Sequence, residues 1–459
     1  MFIKEHAFII SVTTLSLALR LFNLDFQSIW MDEGFSIYFS NGSVVESLRK
    51  IMAMDVHPPL YYLLLNFWTS TFGTSDFSIR LPGALLSTLT IPLVWCLGKK
   101  MFNVATARYA VILATVSTYS IQLAQEARPY ALLGLLSTAS MLAYVNVLDR
   151  KNWTSVALLS IVNSALLYTN YFGIFVLIAQ ALLSFRHLLV SNLVTLIIFS
   201  PWVVQSLSNL QRFQHESHVK MPMISDFFEI FLVLLSKGKL DQALPIINAG
   251  AMVFLSIVFV LLVVPKLHTA SDYFCATTGA ASRNSNERAL LVLWLMIPVV
   301  VSWVVSQLGL RVFHAKSLIV AAPALWILVG YLLTRLKFRK LAVVLLVTIT
   351  LNSVVQYPRK YLRPHRPDFR SATEFIVERV GFSEKIVIDP GFAWPAVLHY
   401  AKNNPINLTS LEEATQHSEF WFMDVNKHQT TQFQKLRQLG YRGIKQAEFW
   451  KINVWQWHR

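Results

Sequence analysis

The sequence predicts a polytopic α-helical membrane protein carrying a small outer α/β domain. Three observations carry that expectation. Of the 459 residues, 54% are hydrophobic and only 14% charged, and the mean hydropathy is +0.48. A soluble globule of this length has no use for so much apolar side chain. Apolar runs of roughly the 17–25 residues that cross a bilayer recur along the chain. After Tyr357 the composition turns polar.

The expected spans are Ala7–Leu24, Leu81–Leu97, Thr106–Ala124, Ala131–Leu148, Val156–Tyr168, Phe172–Phe185, Leu188–Leu207, Leu244–Val264, Leu290–Ser306, Leu318–Leu333 and Leu341–Val355, about eleven in all. Val156–Tyr168 and Phe172–Phe185 are short, and read either as two helices about a turn at Thr169-Asn170-Tyr171 or as one long bent helix. The first run has no small-residue cleavage site after it, so it reads as a signal anchor.

The net charge of +15 does not signal nucleic acid, because the basic residues follow topology. Lys99, Lys100 and Arg108, then Arg150 and Lys151, then Arg186, then Lys266, Arg283 and Arg288, then Arg335, Lys337, Arg339 and Lys340 fall in loops that the span count puts on one side, together with Lys4. Lys/Arg-rich short loops mark the cytoplasmic side. The C-terminus and the loop after the first span are thereby expected outside.

That first outer loop, about Asp25–Arg80, is expected to be structured. Ser43–Met54 places Val44, Val45, Leu48, Ile51 and Met52 at helical spacing, the pattern of an interfacial amphipathic helix. Pro59–Phe72 is apolar but, at about 14 residues, too short for a crossing of about 20, so a helix on the membrane surface is expected. Cys96 and Cys275 fall on the reducing side, and no disulfide is implied. The stretch Ala276–Ser285 is small and polar and reads as a flexible loop.

Beyond a Pro-rich basic linker, Tyr357–Arg370, the pattern alternates. Phe369–Val380, Pro395–Ala401 and Thr430–Leu439 read as helices, Lys385–Asp389 and Glu419–Asp424 as strands, and Gly443–Trp450 with Ile452–Trp457 as a closing hairpin. This gives a domain of residues 358–459 after a membrane domain of residues 1–357.

Ionisable groups at a membrane face are costly unless paired, hydrated or put to use. Asp32-Glu33 follows the first span. One carboxylate there can take a proton from an acceptor while its neighbour positions the acceptor or tunes the first. His57-Pro58-Pro59 sets an imidazole near a helix start, a position that attracts anions, and Asp55 and Tyr61 flank it as further candidates. Gln125-Glu126-Ala127-Arg128-Pro129-Tyr130 forms an outer turn in which Arg128 offers a planar cation for phosphate, with Glu126 to orient it and Tyr130 beside it. Arg311 and Lys316, in Arg311-Val312-Phe313-His314-Ala315-Lys316, form a second outer basic pair. Each pattern is also compatible with ordinary caps and solvated faces. No cluster with metal-ligand spacing stands out.

The order Asp32-Glu33, His57-Pro58-Pro59-Leu60-Tyr61-Tyr62, Arg80-Leu81-Pro82-Gly83-Ala84-Leu85 and Glu126-Ala127-Arg128-Pro129-Tyr130 resembles the GT-C glycosyltransferases, in the branch of protein O-mannosyltransferases and lipid A aminoarabinose transferases. The resemblance is sharpest over residues 20–150. It implies an inverting glycosyltransferase that takes a sugar from a polyprenyl-phosphate donor at the outer face of the cytoplasmic membrane. It implies Asp32 as base, Glu33 as second acidic position, and His57 and Arg128 near the donor phosphate. Arg311 and Lys316 stand where relatives carry a basic, Tyr-containing segment, although Val312 replaces the tyrosine. The acceptor is left open among lipid, glycan and protein, and a divalent metal is optional. The competing class is a transporter or flippase of lipid-linked sugars. Its expected marks, internal repeats and helices broken deep in the bilayer, are not evident here.

Overall fold

The computed structural model describes residues 2–55, 57–207, 220–236, 280–381, 383–401, 404–426 and 431–459. The expected span Leu244–Val264, residue Lys266 and Cys275 lie outside the described residues.

The chain opens with helix α1 (Phe2–Leu21), then three short helices, α2 (Met31–Phe39), α3 (Val44–Met54) and α4 (Leu60–Phe72). Ser43 caps α3 by accepting from the Glu46 amide at 3.2 Å, while Glu46 returns a 2.7 Å bond to the Ser43 amide. This reciprocal pair fixes the start of the amphipathic helix expected there. Helix α4 begins where Pro58-Pro59 presets the backbone. It buries Tyr61, Tyr62, Leu65 and Asn66 and leaves Leu64, Phe67 and Phe72 exposed, so both of its faces are apolar.

Helices α5 (Asp76–Met101), α6 (Val104–Val116), α7 (Thr118–Ala124), α8 (Tyr130–Arg150), α9 (Trp153–Thr169) and α10 (Gly173–Leu207) build the bundle, joined by helices Ile224–Ser236, Ala280–Gln307, Ala322–Arg335 and Arg339–Tyr361. Five helical segments among the described residues are long and apolar enough to cross a membrane: Asp76–Met101, Tyr130–Arg150, Leu188–Ser206, Glu287–Gln307 and Ser317–Arg335. The run expected as the single span Thr106–Ala124 is α6 and α7, bent by 57° at Ser117; counted as one it makes a sixth. The pair left open in sequence is two helices, α9 and the first part of α10, with a break at Ser184 before the second part. Phe2–Leu21 and Arg339–Tyr361 form helices where spans were expected. By length and apolarity the described residues thus give five or six such spans, set against about eleven expected over the whole chain, of which Leu244–Val264 lies outside the described residues. The expected flexible stretch Ala276–Ser285 is corrected in part, because the helix already runs from Ala280. The helix expected to end at Val355 continues to Tyr361, into the expected linker.

Ion pairs mark one end of the bundle: Lys99 Nζ with Glu5 Oε2 at 2.7 Å, and Lys100 Nζ with Asp149 Oδ2 at 2.9 Å. The loops following α1 and α7 stand at the opposite end of these helices, where the C-terminal layer docks.

That layer is a five-stranded sheet in the order β2-β1-β3-β5-β4, formed by β1 (Lys385–Asp389), β2 (Asn407–Leu408), β3 (Glu419–Val425), β4 (Arg442–Phe449) and β5 (Ile452–His458). β1 is parallel to β2 and β3, and the expected hairpin β4–β5 closes the sheet antiparallel. Both faces are covered. Trp421 and Met423 of β3 pack with Phe369 and Val397, whereas Phe420 and Phe422 pack with Phe433 and Leu436. A strand buried on both sides reads as a continuous apolar run, which is why β1 and β3 were visible in sequence.

Candidate active site

Helix α2 starts at Met31 after an extended Trp30 and carries two acidic residues in its first turn, where the helix dipole favours them. Successive helical residues point about 100° apart, so Asp32 and Glu33 meet different partners.

Glu33 turns inward and is fully buried. Its Oε1 accepts from Arg80 Nε at 2.8 Å and from the Ala127 amide at 2.9 Å; its Oε2 accepts from Arg80 Nη2 at 2.8 Å and Arg366 Nη1 at 2.7 Å. Burial alone would raise this carboxyl's pKa, but the Arg80 and Arg366 charges outweigh it and carry the pKa below the usual value. Glu33 is thus a permanent anion between two guanidinium groups. Its bonds fix site geometry and leave it no opening to an acceptor.

Asp32 is half-buried, and its carboxylate has no hydrogen-bond partner among the described residues. Its backbone carbonyl accepts from Arg128 Nη1 at 3.3 Å. Arg128 is 7% exposed. Among the described residues its only other hydrogen bond is to Ser36 Oγ, at 3.4 Å, and its Nε has no partner there. A desolvated guanidinium with few bonds of its own can accept an anion chemically.

Glu126, two residues earlier, is taken by other cations: Lys316 Nζ at 2.8 Å and Arg366 Nη2 at 3.3 Å. Lys316 also sits 4.1 Å from the centre of the Trp30 ring and 5.6 Å from that of Tyr130. Tyr130 is buried at the start of α8, 6.0 Å from the Arg128 guanidinium. The Tyr61 hydroxyl is buried without a partner among the described residues, within electrostatic reach of Glu33, Arg128 and Glu126. His57 Nδ1 lies 2.9 Å from Asp55 Oδ1, which leaves Nε2 as the ring position for a ligand. Burial pushes the Asp55 carboxyl up, but the His57 charge and hydrogen bond prevail and bring its pKa to about 2.

The structure therefore gathers Asp32, Glu33, Glu126, Arg128, Tyr130, Lys316 and Tyr61 in one place. His57 and Asp55 form a neighbouring pair within electrostatic reach of Arg128 and His314. Arg311 is exposed.

Four residues escaped sequence reasoning. Arg80 heads an apolar run, and an arginine at that position is itself a signal for a buried carboxylate partner. Trp30 receives two cations, with Arg366 5.7 Å from its ring. His314 lies 6.2 Å from Tyr130, ring to ring. Arg366 comes from the segment beyond the last helix of the bundle, and no local pattern distinguished it from its basic neighbours.

Two close approaches hold the frame. A Cβ on Gly83 would stand 2.6 Å from the Ala124 carbonyl oxygen, and one on Gly34 would stand 2.6 Å from the Ala396 amide nitrogen. Only glycine lets α5 meet the end of α7, and α2 meet the C-terminal layer.

Beside Pro59, a mainly apolar cavity of about 510 Å³ opens between the short outer helices and the bundle, lined by residues that include Leu48, Met52, Leu60, Tyr168 and Trp202. Among the described residues no group of three His, Cys, Asp or Glu side chains stands together as metal ligands.

Residues 56–204 match the family model described as dolichyl-phosphate-mannose-protein mannosyltransferase. No curated protein matches the sequence. Among solved structures, the chain is similar to ArnT from Cupriavidus metallidurans in the apo state, at 12% identity and a TM-score of 0.52, covering 98% of both chains. It is also similar to the oligosaccharyltransferase of Archaeoglobus fulgidus in complex with Zn and sulfate, at 14% identity and a TM-score of 0.52; 87% of this chain is covered, and it spans 62% of the archaeal one. A second structure of that enzyme, tethered to an acceptor peptide, aligns at 12% identity and a TM-score of 0.51 over 96% of this chain and 69% of that one. At these identities the likeness is one of fold.

Proposed function

We propose that this chain, which stands in the GT-C glycosyltransferase superfamily, transfers a sugar from a polyprenyl-phosphate donor to an acceptor at the outer face of the cytoplasmic membrane. The observation that carries the reading is the pairing of an Asp32 carboxylate that is unbonded among the described residues with a buried Arg128 guanidinium that bonds no carboxylate among them and is held against the same turn of α2. One group can take a proton; the other can take an anion.

The reaction then runs as a single displacement. Asp32 accepts the proton of the acceptor's nucleophilic group. The freed electron pair forms a bond to the anomeric carbon on the face away from the phosphate. The bond from that carbon to the phosphate oxygen breaks, and its electrons stay with the phosphate, where Arg128 and the His57 ring stabilise the charge. The anomeric configuration inverts. The departing phosphate monoester needs no general acid, and a mono-phosphate donor has less charge to neutralise than a diphosphate one, so a divalent metal is optional. The cavity beside Pro59 supports a lipid-linked donor, since it is mainly apolar and lies two residues from His57. The family description also names a dolichyl-phosphate sugar.

Titration of purified variants with a short-chain polyprenyl phosphate tests this. His57→Ala and Arg128→Ala should each lose about 10- to 150-fold in affinity, the equivalent of a charge-assisted hydrogen bond. Asp32→Asn should bind like the wild type. Equal affinity for all three moves the phosphate elsewhere. A folded wild type that binds no polyprenyl phosphate removes the donor class.

A further inference from the structure

The outer layer is stitched to the loop that leads into α2. Gln27 Nε2 donates to the Arg363 carbonyl at 2.9 Å, and Gln27 Oε1 accepts from the His365 amide at 3.1 Å. Four residues beyond Arg366, the Arg370 amide donates to Ser28 Oγ at 3.0 Å. The Arg370 side chain reaches Asp76 Oδ2 at 2.6 Å, where the Tyr400 hydroxyl also donates at 2.5 Å, and His399 Nε2 is 3.0 Å from Asp76 Oδ1. Arg366 lies between these two sets of bonds. Its backbone is fixed on both sides, and its guanidinium points into the membrane-side cluster.

There it bridges the two buried carboxylates, with Nη1 on Glu33 at 2.7 Å and Nη2 on Glu126 at 3.3 Å. Glu33 sits beside Asp32 on α2. Glu126 sits in the turn that carries Arg128, whose amide donates to the Glu126 carbonyl at 2.7 Å. The chain of charges therefore reads Arg80–Glu33–Arg366–Glu126–Lys316. Without Arg366 each carboxylate keeps one cation, so the cluster stays charge-balanced and foldable. What is lost is the charged bridge between the two carboxylates, which leaves helix α2 and the 125–130 turn joined by the Ala127 amide on Glu33 and by the long Arg128 bonds to the Asp32 carbonyl and Ser36.

We propose that Arg366 is a positioning residue of the transfer site: by bridging Glu33 and Glu126 it sets the spacing between Asp32 and Arg128, and so makes the outer α/β layer a working part of the site. This rests on the donor-phosphate reading above. A planar, two-pronged guanidinium suits the task, because it can face two carboxylates at once in a fixed geometry. An ammonium at the same place supplies the charge without the fork.

The test is titration of the full-length purified protein with geranylgeranyl phosphate. Arg366→Gln and Arg366→Ala should bind about 2- to 30-fold more weakly than the wild type, the size of coupling carried through a network and not by direct contact. Arg366→Lys should fall between them and the wild type. Added guanidinium ion should restore much of the affinity of Arg366→Ala by refilling the gap between the carboxylates, and should not improve the wild type. Thermal melting of each variant reports on folding. Folded Arg366→Gln and Arg366→Ala proteins that bind like the wild type would overturn the inference. So would a loss that guanidinium does not restore, which would mark a purely structural residue. A wild type without affinity for the probe would bring down the donor reading, and this inference with it.

Discussion

At the scale of single residues, adjacent carboxylates meet different surroundings because a helix turns them apart. Glu33 is locked by Arg80, Arg366 and the Ala127 amide, whereas Asp32 is left without a side-chain partner among the described residues. Asp32→Asn is therefore expected to cut transfer by about 10²–10⁴, the contribution of a positioned base, with polyprenyl-phosphate affinity unchanged. Single-turnover assays beside equilibrium binding would show it, and near-normal turnover would remove Asp32 from the chemistry. His314 yields a separate expectation. Desolvation first, then the Lys316 charge, lower its pKa to about 4, so the ring is neutral near pH 7. Between its ordinary value near 6.5 and about 4, the unfolded chain binds the proton and the folded one does not. Stability should fall as the pH drops through that window. His314→Gln should flatten this part of the melting-temperature profile; an unchanged slope would refute it.

At the scale of elements, the site depends on glycine contacts and on a bent helix pair. Gly83 lets α5 touch the end of α7, just before the turn that presents Glu126 and Arg128. A methyl group there would meet the Ala124 carbonyl oxygen at 2.6 Å, so Gly83→Ala should destabilise the protein by about 1–3 kcal/mol, as overpacking does. Because the displaced element is that turn, polyprenyl-phosphate affinity should fall as well; a variant with normal melting and normal affinity would show that the contact is not rigid. The elements themselves were largely legible in sequence. Helix α3 announced itself by Ser43 and Glu46 with apolar residues at helical spacing, and β1 and β3 by short apolar runs. The bend at Ser117 was not legible, since α6 and α7 read as one hydrophobic stretch and nothing in periodicity reports a change of axis. The site was legible in half. Asp32, His57 and Arg128 could be picked out as polar groups beside apolar runs. Arg366 could not, because its meaning comes from contacts to Glu33 and Glu126 hundreds of positions away, and long-range pairing leaves no trace in local pattern.

At the scale of the whole molecule, the two ends of the bundle differ in kind. One end carries Lys99 and Lys100 paired to Glu5 and Asp149, near the Lys/Arg-rich ends of several helices. The other carries the buried cluster and the outer layer, in which the cations serve carboxylates and, on the reading above, a phosphate. Topogenic charge acts through short basic loops flanking spans, and the loop Arg335–Lys340, with Arg335, Lys337, Arg339 and Lys340, is the densest of them. It is therefore expected in the cytoplasm. The helix Arg339–Tyr361 leads from that loop to Arg366 and the docked sheet, so the sheet and the cluster share the other side. A reporter active only in the cytoplasm should give signal when inserted between Leu336 and Phe338, and stay silent when fused after Arg459. The reverse pattern would turn the molecule over and place Asp32 and Arg128 on the cytoplasmic face. Signal from both positions would mean that Arg339–Tyr361 does not cross, and that the outer layer reaches the cluster from the same side as the basic loop.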